Sequence, residues 1–143
     1  MRIALPLLAL LVLAMTTAPA PAQPGAGLDG TWLAVSAERN GAPAPDVVGH
    51  RLTAGNGRFR IAHDGKTVYG GTYVTDASKT PAQMDFHNTE GGLRGTWKGI
   101  YAVDGDTLKT CDNAPDMTKP RPETFAAGPG SGYVSIVFRR EKK

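Results

Sequence analysis

Five short glycine-containing signals punctuate this chain at close intervals: Asn40-Gly41, Asn56-Gly57, Asp64-Gly65, Glu90-Gly91-Gly92 and Asp104-Gly105. Asn-Gly and Asp-Gly suit tight hairpin turns, in which both central residues take positive φ. Their recurrence between short β-prone runs marks an all-β chain. The runs predict eight strands, over residues 30–38, 50–54, 58–63, 66–75, 83–87, 93–103, 107–111 and 132–140. Phe59 and Ile61 alternate with Arg58 and Arg60, and Met84 and Phe86 with Asp85 and His87. Val134, Ile136 and Phe138 alternate with Tyr133, Ser135 and Val137. Period two dominates, and no long stretch carries a helical period. Residues 44–48 are expected to form one helical turn.

Eight strands joined mainly by hairpins make a meander, and a twisted meander tends to close because closure removes exposed edges. The expected fold is an all-β, eight-stranded antiparallel meander barrel, with a two-sheet β-sandwich as the alternative. The interior of such a barrel is filled by side chains or holds one small ligand. Gly70, Gly71, Gly95 and Gly99 suit bends in its strands.

The rhythm breaks between Asp112 and Ser131, where Pro115, Pro120, Pro122 and Pro129 rule out a strand. This long connection is expected near one mouth of the barrel. Its most distinctive stretch is Lys119-Pro-Arg-Pro122, in which alternating prolines hold Lys119 and Arg121 in an extended presentation. Two roles fit: a strap packed over the mouth with Phe125 as its apolar anchor, or a rigid basic contact for an anionic ligand or partner.

The first residues follow the order of a secretory signal peptide: a charged start at Arg2, an apolar run from Ile3 to Met15, then a small-residue stretch ending in Ala20-Pro-Ala22. Cleavage after Ala22 is expected. The partition is then a signal peptide at 1–22, a flexible leader at 23–28 and one barrel domain at 29–143, exported to the periplasm or beyond the cell. The apolar run falls short of the roughly 20 residues a membrane span needs. The formal charge is +3 over the full chain and +2 once Arg2 is removed, so nothing predicts nucleic-acid binding. Cys111 is the only cysteine. It is either buried or available to pair two chains, and burial is the expectation.

No constellation carries a catalytic or metal motif. His63 and His87 lie at strand ends near Asp64 and Asp85, but a metal needs three or four convergent ligands. Asp104-Gly-Asp106 lacks the rest of a calcium loop and is read as a hairpin turn. Cys111 has no neighbouring histidine in sequence, and Ser131 and Ser135 lack a nucleophile elbow. No cofactor is expected, and no carboxylate pair has an evident reason to be buried.

Gly30-Thr31-Trp32 at the start of the first strand resembles the G-x-W of lipocalins, and Gly95-Thr96-Trp97 matches it again. An arginine pair, Arg139 and Arg140, closes the last strand. The resemblance implies that an arginine there, taken as Arg139, packs over Trp32 and seals one end. Such a contact combines cation–π attraction with burial of the arginine stem. A longer resemblance runs through Leu28-Asp-Gly-Thr-Trp32, Gly70-Gly-Thr-Tyr73, residues 99–109, Lys119-Pro-Arg-Pro122 and residues 130–132. In these stretches the chain resembles an uncharacterised family of exported lipocalin-like domains abundant in planctomycete bacteria. That resemblance implies fold and compartment, and no activity.

The functional expectation is an exported, non-catalytic lipocalin-like protein that binds a small apolar or amphipathic molecule inside the barrel. Candidate ligand contacts are Trp32, Phe59, Tyr73, Phe86, Trp97 and Tyr101, with Lys119 and Arg121 from the strap. One alternative is a cell-envelope module that binds a protein or polysaccharide through the 112–131 connection. A small hydrolase or isomerase is the other.

Overall fold

The computed structural model describes residues 27–142; the expected signal peptide at 1–22 and most of the expected leader lie outside the described residues. Nine strands follow in chain order: β1 (Gly30–Arg39), β2 (Ala42–Pro43), β3 (Arg51–Gly55), β4 (Arg58–His63), β5 (Lys66–Asp76), β6 (Ala82–Gly91), β7 (Gly95–Asp104), β8 (Thr107–Asp112) and β9 (Val134–Arg140). Each of β3 to β9 pairs with its sequence neighbour, β1 pairs with β3, and β9 returns to pair with β1. All pairings are antiparallel. Eight strands therefore close into a lipocalin-like meander barrel, and the two-residue β2 extends the end of β1. The sandwich alternative falls because β1 and β9 close the sheet, leaving a single closed layer. No helix occurs among the described residues. The helical turn expected at 44–48 is instead a run of hydrogen-bonded turns, with Val47 N–H on Ala44 C=O and His50 N–H on Val47 C=O.

The hairpin chemistry is as the sequence requires. Asn40-Gly41, Asn56-Gly57 and Asp64-Gly65 all hold both central residues at positive φ, between 51° and 79°. Alternation then sets which side chains face inward: Phe59, Met84, Phe86, Trp97, Tyr101, Leu108 and Phe138 form one buried cluster with Trp32 and Leu52. Burying an aromatic or aliphatic side chain of this size is worth roughly 1.5–3 kcal/mol. Phe59 meets Phe86 edge to face at 4.6 Å, a geometry that adds about 0.5–1.5 kcal/mol.

Two bulges adjust this pattern where it matters. Between Ala34 and Ser36 the β1–β9 register slips by one residue. Trp32 and Ala34 face inward before the bulge, and Ala37 and Arg39 do so after it. In β5 the register slips between Gly70 and Gly71. A side chain at Gly71 would place its Cβ 1.9 Å from the His87 carbonyl oxygen, so only glycine fits there. The buried Asn88 stabilises this bulge by accepting the Gly70 N–H at 3.0 Å and donating to the Gly92 and Leu93 carbonyls.

One end of the barrel is sealed. Leu28 and Trp32 are fully buried, and Trp32 Nε1–H donates to the Leu28 carbonyl at 2.9 Å. Leu28, assigned by sequence to the flexible leader, is thus part of the barrel. The guanidinium over Trp32 belongs to Arg140, 4.1 Å from the ring centroid, and not to Arg139. Strand alternation is the reason: Val134, Ile136, Phe138 and Arg140 share the inward face, so Arg139 points to solvent. Arg140 also donates to the Asp29 carbonyl at 2.8 Å. The chain enters and leaves at this sealed end.

The 113–133 connection begins at one mouth, as expected, where Ala114 and Pro115 line the opening, and then runs along the outer wall. Arg121 is its main clamp. One Nη donates to the Met84 and Gly99 carbonyls at 3.0 and 2.8 Å, and the other pairs with Asp85 at 2.7 Å. Pro122 and Ala127 are buried along the connection, whereas Phe125, the expected anchor, is only half-buried. Asn113 is wholly buried: it accepts the Lys98 N–H and donates to the Lys119 carbonyl. Further on, the segment is tied to the Asn40-Gly41 turn through Gly41 N–H on Ala127 C=O and Gly132 N–H on the Asn40 side chain. Ile100 and Cys111 are opposed on the outward face of β7 and β8, yet both are buried. The connection is what covers them. Cys111 is therefore enclosed as expected, and desolvation pushes its thiol up to about 12.

Candidate functional site: a cavity in the unsealed half of the barrel

The opposite half of the barrel is hollow. A cavity of about 270 Å³ opens at the end formed by the 44–50 turns, the 91–95 turn and the start of the 113–133 connection. Its walls are mainly apolar: Val47, Leu52 and Ile61 on one side, Met84, Phe86 and Trp97 on another, and Val134, Ile136 and Phe138 from β9. Tyr69 and Leu93 stand near the opening, and Ala114 and Pro115 carry the connection past it. Leu93 is 43% exposed, so the rim itself is partly apolar.

Two tryptophans repeat one local design at opposite ends. Leu28-Asp-Gly-Thr-Trp32 and Leu93-Arg-Gly-Thr-Trp97 each fold so that the indole N–H donates to the leucine carbonyl, at 2.9 and 2.8 Å. In both, the glycine sits at strongly positive φ, 127° and 134°. At the sealed end a cation lies over the indole. At the open end Tyr69 meets Trp97 edge to face at 5.2 Å.

The polar groups of the cavity are few. Arg39 and Asp46 form a two-pronged ion pair at the rim, at 2.9 and 3.0 Å. The shared hydrogen bond raises the pKa of Arg39 and lowers that of Asp46. His50 donates from Nδ1 to the Val47 carbonyl at 2.8 Å, since a carbonyl only accepts. Its ring stacks on His63, with centroids 4.4 Å apart and planes within 5°. On the inward face of β8, Asp112 lies level with Arg39 across β9, and Thr110 follows one step further in. Asp112 is only 6% exposed, and its Oδ1 accepts the Ala114 N–H at 2.8 Å. Burial pushes its carboxyl up to about 7, against the smaller opposing effect of that hydrogen bond.

Of the residues proposed from sequence, Phe86 and Trp97 line the cavity. Trp32, Phe59, Tyr73 and Tyr101 are buried in the packed core. Tyr73 donates to Asp29 at 2.8 Å, and burial followed by this bond raises its pKa. Arg121 is spent on the outer wall, and Lys119 is exposed on the connection. Neither reaches the cavity. Arg39, His50, Thr110 and Asp112 went unnoticed in the sequence. Counting by twos from Leu108 reaches Thr110 and Asp112, which is the signal for the last two. His63 sits 3.8 Å from Asp64, and His87 bonds the Thr96 hydroxyl at 2.8 Å. Among the described residues no three His, Cys, Asp or Glu side chains converge. A second hollow beside the β5 bulge is more open to solvent and mixes Arg58, Arg60 and Glu90 with Ala54 and Phe59. No protein-family model, curated protein or solved structure matches this chain.

Proposed function

We propose that this protein is an exported, non-catalytic lipocalin-like binding protein that carries a small apolar or amphipathic molecule in its barrel. The observation behind this reading is the cavity: 270 Å³, open at one end, apolar-walled, with a few polar groups. Sites for small molecules combine an apolar lining with a few placed polar groups. The volume bounds the ligand. It exceeds the roughly 150 Å³ that admits benzene into an engineered cavity. It lies just under the floor of about 300 Å³ usual for drug-sized ligands. One ring or a short chain fits; a sterol or a long acyl chain does not.

The signal-peptide pattern at 1–22 supports delivery to the periplasm or beyond the cell, and the resemblance of the chain's motifs to the planctomycete domain family fits the same compartment. The envelope-module alternative draws less support, because Arg121 is engaged within the barrel wall and leaves Lys119 alone on the connection. The test is native mass spectrometry of the exported protein purified gently from a bacterial envelope. A discrete extra mass, released by organic extraction, is expected. A clean apo mass, together with no uptake of an environment-sensitive apolar dye quenched on Ile136→Trp substitution, overturns the carrier reading.

A further inference from the structure

Asp112 is the unexplained group in the cavity. A carboxylate largely withdrawn from water beside apolar walls is costly unless a donor or a cation compensates it. Its Oδ1 has the Ala114 N–H, while its Oδ2 has no protein donor among the described residues and stays open to accessible space rather than sealed in. The nearby cations are committed elsewhere. Arg39 is paired with Asp46 at the rim, and Arg121 with Asp85 on the outer wall. The strand places Asp112 on the face shared with Thr110, and both line the cavity. Beside it, on the adjoining strands β7 and β6, Trp97 and Phe86 give the cavity its largest apolar surfaces.

From this juxtaposition we propose that the cavity is a site for a small organic ammonium, an amine on a body of about one ring, with its N–H donors on Asp112 and its ring against Trp97. The proposal rests on the carrier reading and names its ligand class. An ammonium supplies in one group both the missing donor for Oδ2 and the missing positive charge. An alcohol supplies only the donor. A carboxylate adds a second negative charge beside the first and is rejected.

Three probes of one size separate these cases: benzylamine, benzyl alcohol and benzoate, titrated calorimetrically into the full mature protein at pH 8. Benzylamine is expected to bind at least tenfold more tightly than benzyl alcohol, with no detectable benzoate binding. Asp112→Asn, which keeps an acceptor for the Ala114 N–H, is expected to abolish the tenfold preference for benzylamine over benzyl alcohol. The ranking on the unmodified protein stands by itself if the variant does not fold. Alcohol binding equal to or tighter than amine binding overturns the ammonium proposal and leaves the carrier reading intact. So does an amine preference that survives Asp112→Asn. Failure of all three probes to bind overturns both.

Discussion

The carboxyl of Asp112 ties folding to pH in a direction opposite to that of most aspartates. Its value is about 7 in the folded barrel, against an ordinary value of 3.8. Below pH 4 the group is protonated in both folded and unfolded chains and contributes no difference. Between pH 4 and 7 the unfolded chain ionises while the folded one retains its proton, so stability falls as pH rises. The slope is about 1.4 kcal/mol per pH unit, and the whole interval costs on the order of 4 kcal/mol. Above pH 7 both states are ionised and the loss is constant. Asp112→Asn removes the ionisation and keeps the turn. Urea unfolding followed by tryptophan fluorescence at pH 4, 5.5, 7 and 8 gives the stability of each form. The variant minus wild-type difference cancels the histidines and the other carboxylates. It is expected to lie near zero at pH 4 and to rise by a few kcal/mol in favour of the variant by pH 8. A difference that stays flat across this range refutes the placement of Asp112 in a desolvated enclosure.

The remaining predictions concern the seal, the bulge and the clamp. Arg140→Ala removes the contact over Trp32 and the bond to Asp29, and is expected to cost about 2 kcal/mol in urea unfolding; Arg139→Ala is expected to stay within about 0.5 kcal/mol. Gly71→Ala drives a Cβ into the His87 carbonyl and is expected to lower stability by more than about 3 kcal/mol. Gly128→Ala, with open space around it, is expected to change thermal unfolding by no more than about 0.5 kcal/mol. Arg121→Ala releases the outer connection, so native-state labelling of Cys111 by a thiol reagent and proteolysis within 113–133 are expected to accelerate. Lys119→Ala is expected to alter neither, and equal effects of the two substitutions contradict the clamp assignment.

The barrel was legible because its signals are local. Asn-Gly and Asp-Gly pairs demand positive φ, and alternation such as Phe59-Arg60-Ile61 declares which face is wet. Closure followed from the number of strands. What escaped the sequence depends on register. Arg39 reaches the cavity only because the bulge at Ala34/Ser36 shifts its strand by one position, and nothing in Ala34-Val35-Ser36 announces a bulge. Asp112 was assigned to the long connection because aspartates usually serve turns; one further residue of β8 turns it into an interior group. Arg140 rather than Arg139 seals the base for the same reason, since two adjacent arginines differ only in which face alternation gives them. The role of Arg121 was beyond sequence because its partners, the Met84 and Gly99 carbonyls, come from two distant strands. The hollow itself could not be read from aromatic content, which fills the sealed half and lines the other.

The antiparallel pairing of β1 with β9 brings Trp32 opposite Arg140, so both ends of the described chain emerge beneath the sealed base. A tether attached just beyond Arg140 pulls on that base and leaves the mouth facing away from the attachment point. A protein immobilised by its last residues therefore presents its opening to the surrounding fluid.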